Sequence, residues 1–278
     1  ALERRQGRAL GSDTAPGESS PIVEHGDVRR MLMTMRSQIE AMRCVMYANA
    51  VAMDWAGVHP DPEERRRFSD LSALLTPISK GWGTELGVEL SSLAIQVHGG
   101  AGYIEETGVA RHWRDSRIAP IYEGTNGIQA LDLVFRKVNL DGGLALDELM
   151  ESVVALTSDL RSGELRVMEK SLADAVAVVA PEIEWVRARL TDDPVQVGIG
   201  AVAFMEMLGT LVGGFYMARS ALVAQRLLAT DGGDRDFLAD KIVSAAFYCE
   251  EILPRVHGLA PRVRTGDEVV FGIDPSRL

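Results

Sequence analysis

The sequence predicts an all-α protein, a helical bundle followed by a second helical bundle. Two observations carry that expectation. Apolar residues recur every three or four positions through long stretches, the spacing of one buried helix face. Clusters of Gly, Pro, Asp and Ser cut the chain between those stretches, where helices must stop. With 278 residues, 46% hydrophobic and 25% charged, the composition is that of an ordinary globular protein with ample chain for a core. The net charge of −11 excludes nucleic acid or an anionic membrane as the main partner, because either needs clustered Lys and Arg. Cys44 and Cys249 are isolated and suggest neither a zinc site nor a disulfide framework, so a reducing cytoplasm is the expected compartment.

Taken in order, Ala1-Leu2-Glu3-Arg4-Arg5 reads as the last turns of a helix stopped at Gly7, so the chain is expected to be a fragment. Residues 9–21 form a loop by composition. Residues 22–56 make one long core helix, with Val28, Met31, Leu32, Met35, Ile39, Met42, Val45 and Met46 along its apolar side. Asp61 caps the next helix, Pro62 opens it, and it runs to Val97 with a bend at Pro77. A short helix covers 107–114, and another, N-capped by Thr125, reaches Val138. The turn at Asn139-Leu140-Asp141-Gly142-Gly143 divides the chain into domains at 1–140 and 141–278. In the second domain, helices at 144–160, 164–191, 194–229 and 235–256 are separated by Ser162-Gly163, Asp192-Asp193-Pro194 and Asp231-Gly232-Gly233-Asp234. Short connections between four helices imply an antiparallel bundle. Residues 195–218 are apolar enough to be weighed as a membrane span, but Glu206 near the centre favours a buried bundle helix. Residues 258–278 are expected to wrap that bundle without forming a sheet.

The chemistry concentrates between residues 96 and 129. Gln96-Val97-His98-Gly99-Gly100-Ala101-Gly102-Tyr103 is followed by Arg114-Asp115-Ser116-Arg117 and then by Ile121-Tyr122-Glu123-Gly124-Thr125-Asn126-Gly127-Ile128-Gln129. Ile121 and Tyr122 are expected to desolvate Glu123, which raises a carboxyl's proton affinity and suits it to act as a base. Gly124 lets a flat ligand approach the main chain. The helix start beyond it offers N–H donors to a phosphate or a developing oxyanion. Each piece alone reads as an ordinary capping turn or glycine turn. The whole ordered string is far more specific.

That string resembles the signature of the acyl-CoA dehydrogenases, whose C-terminal helical domain carries a Gln-x-x-Gly-Gly-x-Gly-Tyr segment, an Arg-Asp segment and a Tyr-Glu-Gly-Thr turn. The resemblance implies the C-terminal portion of a longer member with an extra helical extension, and FAD-dependent α,β-dehydrogenation of an acyl-CoA thioester to a trans-2-enoyl-CoA. It assigns the base to Glu123 and the thioester pocket to Tyr122, Glu123 and Gly124. It assigns the flavin's diphosphate region to Thr125, and its adenosine end, across a subunit interface, to Gln96, Gly99 and Gly100. Arg4 matches an arginine that reaches the flavin pyrophosphate of a neighbouring subunit. A homo-oligomer, dimer or tetramer, and an electron-transferring flavoprotein are the implied partners. Arg114, Asp115 and Arg117 are expected to form an ion-pair cluster holding the catalytic turn, while His98 and His112 lack metal-ligand spacing. A flavin-binding helical scaffold, or a DNA-damage-response relative without acyl-CoA turnover, is the competing reading.

Overall fold

The computed structural model describes residues 1–161, 165–230 and 232–278. It is all-α, with no strand among the described residues apart from an isolated bridge between Arg5 and Pro21. Helices α1 (Gly26–Val58), α2 (Pro62–Pro77) and α3 (Gly83–His98) are followed by the short α4 (Gly100–Tyr103), α5 (Val109–Arg117) and α6 (Thr125–Asp132). The second half holds α7 (Leu144–Asp159), α8 (Arg166–Arg189), α9 (Pro194–Ala229), α10 (Arg235–Phe247), α11 (Val256–Val263) and α12 (Asp267–Val270). The separator at Ser162-Gly163, and Asp231 of the later one, lie outside the described residues.

The cap at Asp61 forms as expected: its carboxylate accepts from the Glu63 N–H at 2.9 Å, and Pro62 occupies the first turn, where its missing N–H costs nothing. Pro77 does not end the helix. A π-helical turn, Ile78–Trp82, follows it and joins α2 to α3. Two further π turns, Leu133–Lys137 and Tyr248–Ile252, continue α6 and α10, and all three pack against α9. A π turn inserts one residue and lets the helix on either side keep its own buried face.

Helix α9 is the axis of the molecule. Phe204, Met207, Leu208, Leu211, Val212 and Ala218 are fully buried, and one continuous core joins α9 to residues from both halves of the chain, among them Val45, Leu74, Ile78, Leu133, Leu172 and Tyr248. By length and composition α9 could cross a membrane, but two thirds (67%) of its most apolar window is buried within this fold. Glycines let it sit close to its neighbours. A Cβ at Gly200 would collide with the Val263 carbonyl oxygen, and one at Gly209 would stand 2.5 Å from the Trp82 ring.

Both ends of the chain depart from expectation. Residues 1–8 are not helical; they run extended, with the Gln6 N–H donating to the Ser20 carbonyl at 3.0 Å. Main-chain pairing with the 19–22 segment satisfies the groups that a helix would otherwise pair, with the Ser20 N–H donating to the Gly7 carbonyl and the Ile22 N–H to that of Arg4. At the other end the helical path continues past 256 to Val263. Leu259 and Val263 are buried there, α11 packs on α8 and α9, and α12 also touches α9, so residues 258–270 lie along the bundle without forming a sheet, although Val269 and Phe271 are largely exposed.

Candidate functional site

The turn at 121–126 has an unusual backbone. Glu123, Gly124 and Thr125 all have positive φ, at 54°, 97° and 68°. Glycine adopts such angles freely, but each of the other two is strained by about 1 kcal/mol or more. Thr125 therefore does not cap α6. The N-cap is Gly124, and no side-chain cap bond is made. Main-chain bonds close the loop instead, from the Tyr122 N–H to the Ile118 carbonyl at 3.1 Å and from the Asn126 N–H to the Pro120 carbonyl at 3.0 Å. Among the described residues the N–H groups of Glu123 and Gly124 have no acceptor, leaving two unpaired donors in the turn.

The Glu123 side chain is 71% exposed, and Ile121 and Tyr122 are exposed beside it. The dry niche expected from these two neighbours is not formed. Ile121 and Tyr122 are themselves about half exposed and leave the carboxylate in solvent. The charged neighbour of Glu123 is Lys80, whose Nζ lies 3.5 Å from Oε2 and which projects from the first π turn. The same turn holds Asn126, which is almost fully buried. Its Nδ2 lies 3.0 Å from the Gly81 carbonyl, Thr84 Oγ1 and Glu85 Oε1. Sequence reasoning assigned no role to Lys80 or Asn126. Asn126 lay inside the motif, but Lys80 lies more than forty residues before the turn, in a stretch that reads as plain helix.

The expected ion-pair cluster is not assembled. Arg114 reaches Glu105 at 2.8 Å, and Asp115 pairs with Arg111 at 3.5 Å, one helical turn back. All four side chains are largely exposed, so these contacts contribute little. His98 is occupied locally, its Nδ1 2.8 Å from the Ala94 carbonyl.

The remaining predicted residues do converge. Arg4, Gln96, Gly99 and Gly100 line one cavity of about 770 Å³ between the N-terminal segment, α1 and the end of α3, together with Gly7 and His25. Gly99 turns the chain there with φ 62°, and neither it nor Gly100 has an atom within 4 Å of where a Cβ would stand. The Arg4 guanidinium has no ion pair among the described residues. The cavity therefore offers a free cation, an amide and bare backbone. Tyr122, Glu123, Gly124 and Thr125 do not line it.

Comparison with known proteins matches this chain to one family. The acyl-CoA dehydrogenase C-terminal domain matches residues 11–137, and the acetyl-CoA dehydrogenase C-terminal-like domain matches residues 146–274. The chain belongs to the acyl-CoA dehydrogenase family. It is 38% identical over 273 residues to the 3-methylmercaptopropionyl-CoA dehydrogenase of Ruegeria pomeroyi, a match covering 97% of this chain and 46% of that protein. Among solved structures, Caenorhabditis elegans ACDH-11 in complex with C11-CoA has a similar fold, with TM-score 0.70, 18% identity and coverage of 93% of this chain and 42% of that one. An acyl-CoA dehydrogenase from Bacillus anthracis complexed with FAD superposes with TM-score 0.66 at 19% identity, over 92% of this chain and 45% of that one. The chain thus spans about half the length of these relatives.

Proposed function

We propose that this chain carries the base and part of the cofactor site of an FAD-dependent acyl-CoA dehydrogenase, which converts an acyl-CoA thioester to a trans-2-enoyl-CoA. The supporting observation is the turn itself, which presents a carboxylate and unpaired N–H donors from consecutive residues of a strained backbone. In this reading the Glu123 carboxylate takes the proton from the carbon next to the thioester carbonyl, and the N–H of Glu123 donates to the thioester oxygen as negative charge develops there. The electron pair left behind forms the new double bond as hydride departs from the adjacent carbon. Bound FAD supplies the hydride acceptor. Gly124 keeps a Cβ out of the thioester's path, and Tyr122 flanks it.

The cavity at Arg4, Gln96, Gly99 and Gly100 fits the adenosine and pyrophosphate end of such a cofactor, because an unpaired guanidinium and glycine backbone suit phosphate. Thr125 is assigned to the diphosphate of a flavin beside the catalytic turn. Because those four residues lie apart from that turn, we assign their cavity to the flavin of a second subunit in a homo-oligomer, with an electron-transferring flavoprotein as the oxidant of the reduced enzyme. Exclusion of water from Glu123 falls to the substrate, the cofactor and protein beyond these residues. The isolated chain is accordingly expected to show little or no dehydrogenase activity.

The test is bleaching of protein-bound flavin by a panel of acyl-CoAs of varied length and branching, in the native protein carrying these residues and in its Glu123→Gln variant. We expect bleaching to slow about 10²–10⁴-fold in the variant with FAD retained. Undiminished bleaching in Glu123→Gln would remove the base assignment. FAD binding without bleaching by any member of the panel would favour the non-catalytic scaffold.

A further inference from the structure

We infer that Asn126 is a positioning residue for the reaction, the buried tether that fixes the strained turn of Glu123 to the core. The inference rests on the reading of Glu123 as the base and adds a part that reading does not contain. The turn needs such a tether because main-chain bonds close the loop on itself but none of the side chains of 121–125 anchors it in the core. Its residues 121–125 are exposed, and α6 begins without a side-chain cap. The ion pair of Glu123 with Lys80 is open to water on both sides. An exposed loop with two residues held at disfavoured angles relaxes unless its surroundings over-determine it.

Asn126 supplies that determination. It follows directly on the strained residues and is 7% exposed. Its Nδ2 has two protons and three acceptors at 3.0 Å, the Gly81 carbonyl, Thr84 Oγ1 and Glu85 Oε1, so one proton is shared. Its Oδ1 lies 3.1 Å from the Thr84 hydroxyl. A π turn displaces carbonyls from the regular helical ladder, and Gly81 belongs to the π turn at 78–82. The Gly81 carbonyl can therefore turn toward a side chain from another element. The π turn in turn rests on α9. Met205 fills the space where a Gly81 Cβ would stand, and Trp82 lies against Gly209 and Gly213. A line of contacts thus runs from the most buried helix, through the π turn and the Asn126 amide, to the backbone of Glu123. Its consequence is orientational: the direction of the Glu123 N–H and of its carboxylate is set by a side chain that touches neither substrate nor cofactor.

The experiment uses the native flavin-loaded protein carrying these residues, with Asn126→Ala, Thr84→Val and Thr84→Ser variants. It reads both amide hydrogen exchange and steady-state kinetics. In Asn126→Ala we expect exchange of the Tyr122 and Asn126 N–H groups to accelerate about tenfold or more while α9 keeps its protection. We expect kcat to fall by about 10²-fold with KM little changed, because a misdirected base loses the transition state and not the bound substrate. Thr84→Val should follow in the same direction more weakly, and Thr84→Ser, which keeps the hydroxyl, should restore both readouts. If Asn126→Ala fails to fold, the Val and Ser pair at Thr84 carries the test. Unchanged exchange at the turn overturns the inference, and so does faster exchange without loss of kcat. A failure of the base assignment is distinguishable, because it appears as undiminished bleaching in Glu123→Gln whatever the exchange data show.

Discussion

The turn at 121–126 and the 200–214 stretch of α9 both depend on glycine, for opposite reasons. At Gly124 the residue is needed for its φ of 97°, and the nearest side-chain atoms to a Cβ there would be 3.7 Å away. At Gly200, Gly209 and Gly213 the backbone is ordinary helix, and the missing Cβ is what matters, because the Val263 carbonyl, the Trp82 ring and the Tyr248 hydroxyl stand too close to admit one. Their carboxylates differ in the same way. Glu123 stands in solvent on a strained turn, whereas Glu206 on α9 is half-buried, and that partial burial raises its carboxyl above its ordinary value. The molecule keeps backbone strain at an exposed turn and close packing along its central helix.

The largest expected effect breaks that packing. Gly200→Ala places a methyl against the Val263 carbonyl, a main-chain atom that cannot rotate away, and should destabilise the protein by about 3 kcal/mol in urea unfolding. Loss of less than about 1 kcal/mol would mean that α9 and α11 are not held as closely as this packing requires. Gly124→Ala is expected to cost about 1 kcal/mol, from φ strain alone, since the space for a methyl is open. If the two substitutions cost the same, the contrast between space and conformation fails.

Much of the first-order architecture was legible. Helical spacing predicted the long helices of both halves, and the Asp61-Pro62 cap stands where residue chemistry put it. The ordered motif identified the family. What was hidden depends on contacts distant in sequence. The π turn at 78–82 follows from how Gly81 and Trp82 meet Met205 and Gly209, more than a hundred residues later, and Pro77 alone gave only a bend. Thr125 looked like a cap because capping is a local rule, but left-handed angles through 123–125 passed the cap to Gly124. The dryness expected of Glu123 was inferred from apolar neighbours in the chain. Adjacent residues on a turn diverge, and desolvation depends on what lies across from a group. The four residues around the Arg4 cavity were marked by motif alone, and the fold brings them together.

The smallest expected effect concerns sign. Burial raises the Glu206 carboxyl, and Glu89 and Glu85 add to it, while Arg262 at 3.8 Å and Arg255 oppose. Between the ordinary carboxylate pKa of about 4.3 and the higher value in the fold, the folded chain keeps a proton that the unfolded chain has released. Stability from this group is therefore greatest below that window and falls as pH rises through it, the reverse of an acid held by a strong ion pair. Glu206→Gln removes the dependence. The variant should match the wild type below the ordinary carboxylate range and gain on it modestly by neutral pH, as read from the difference in Tm across that range. Should the wild type instead gain on the variant as pH rises, the attraction of Arg262 outweighs burial. The α9 carboxylate would then be an ion-paired group, and the proposed division between an open acid at the turn and a desolvated one on the central helix would be lost.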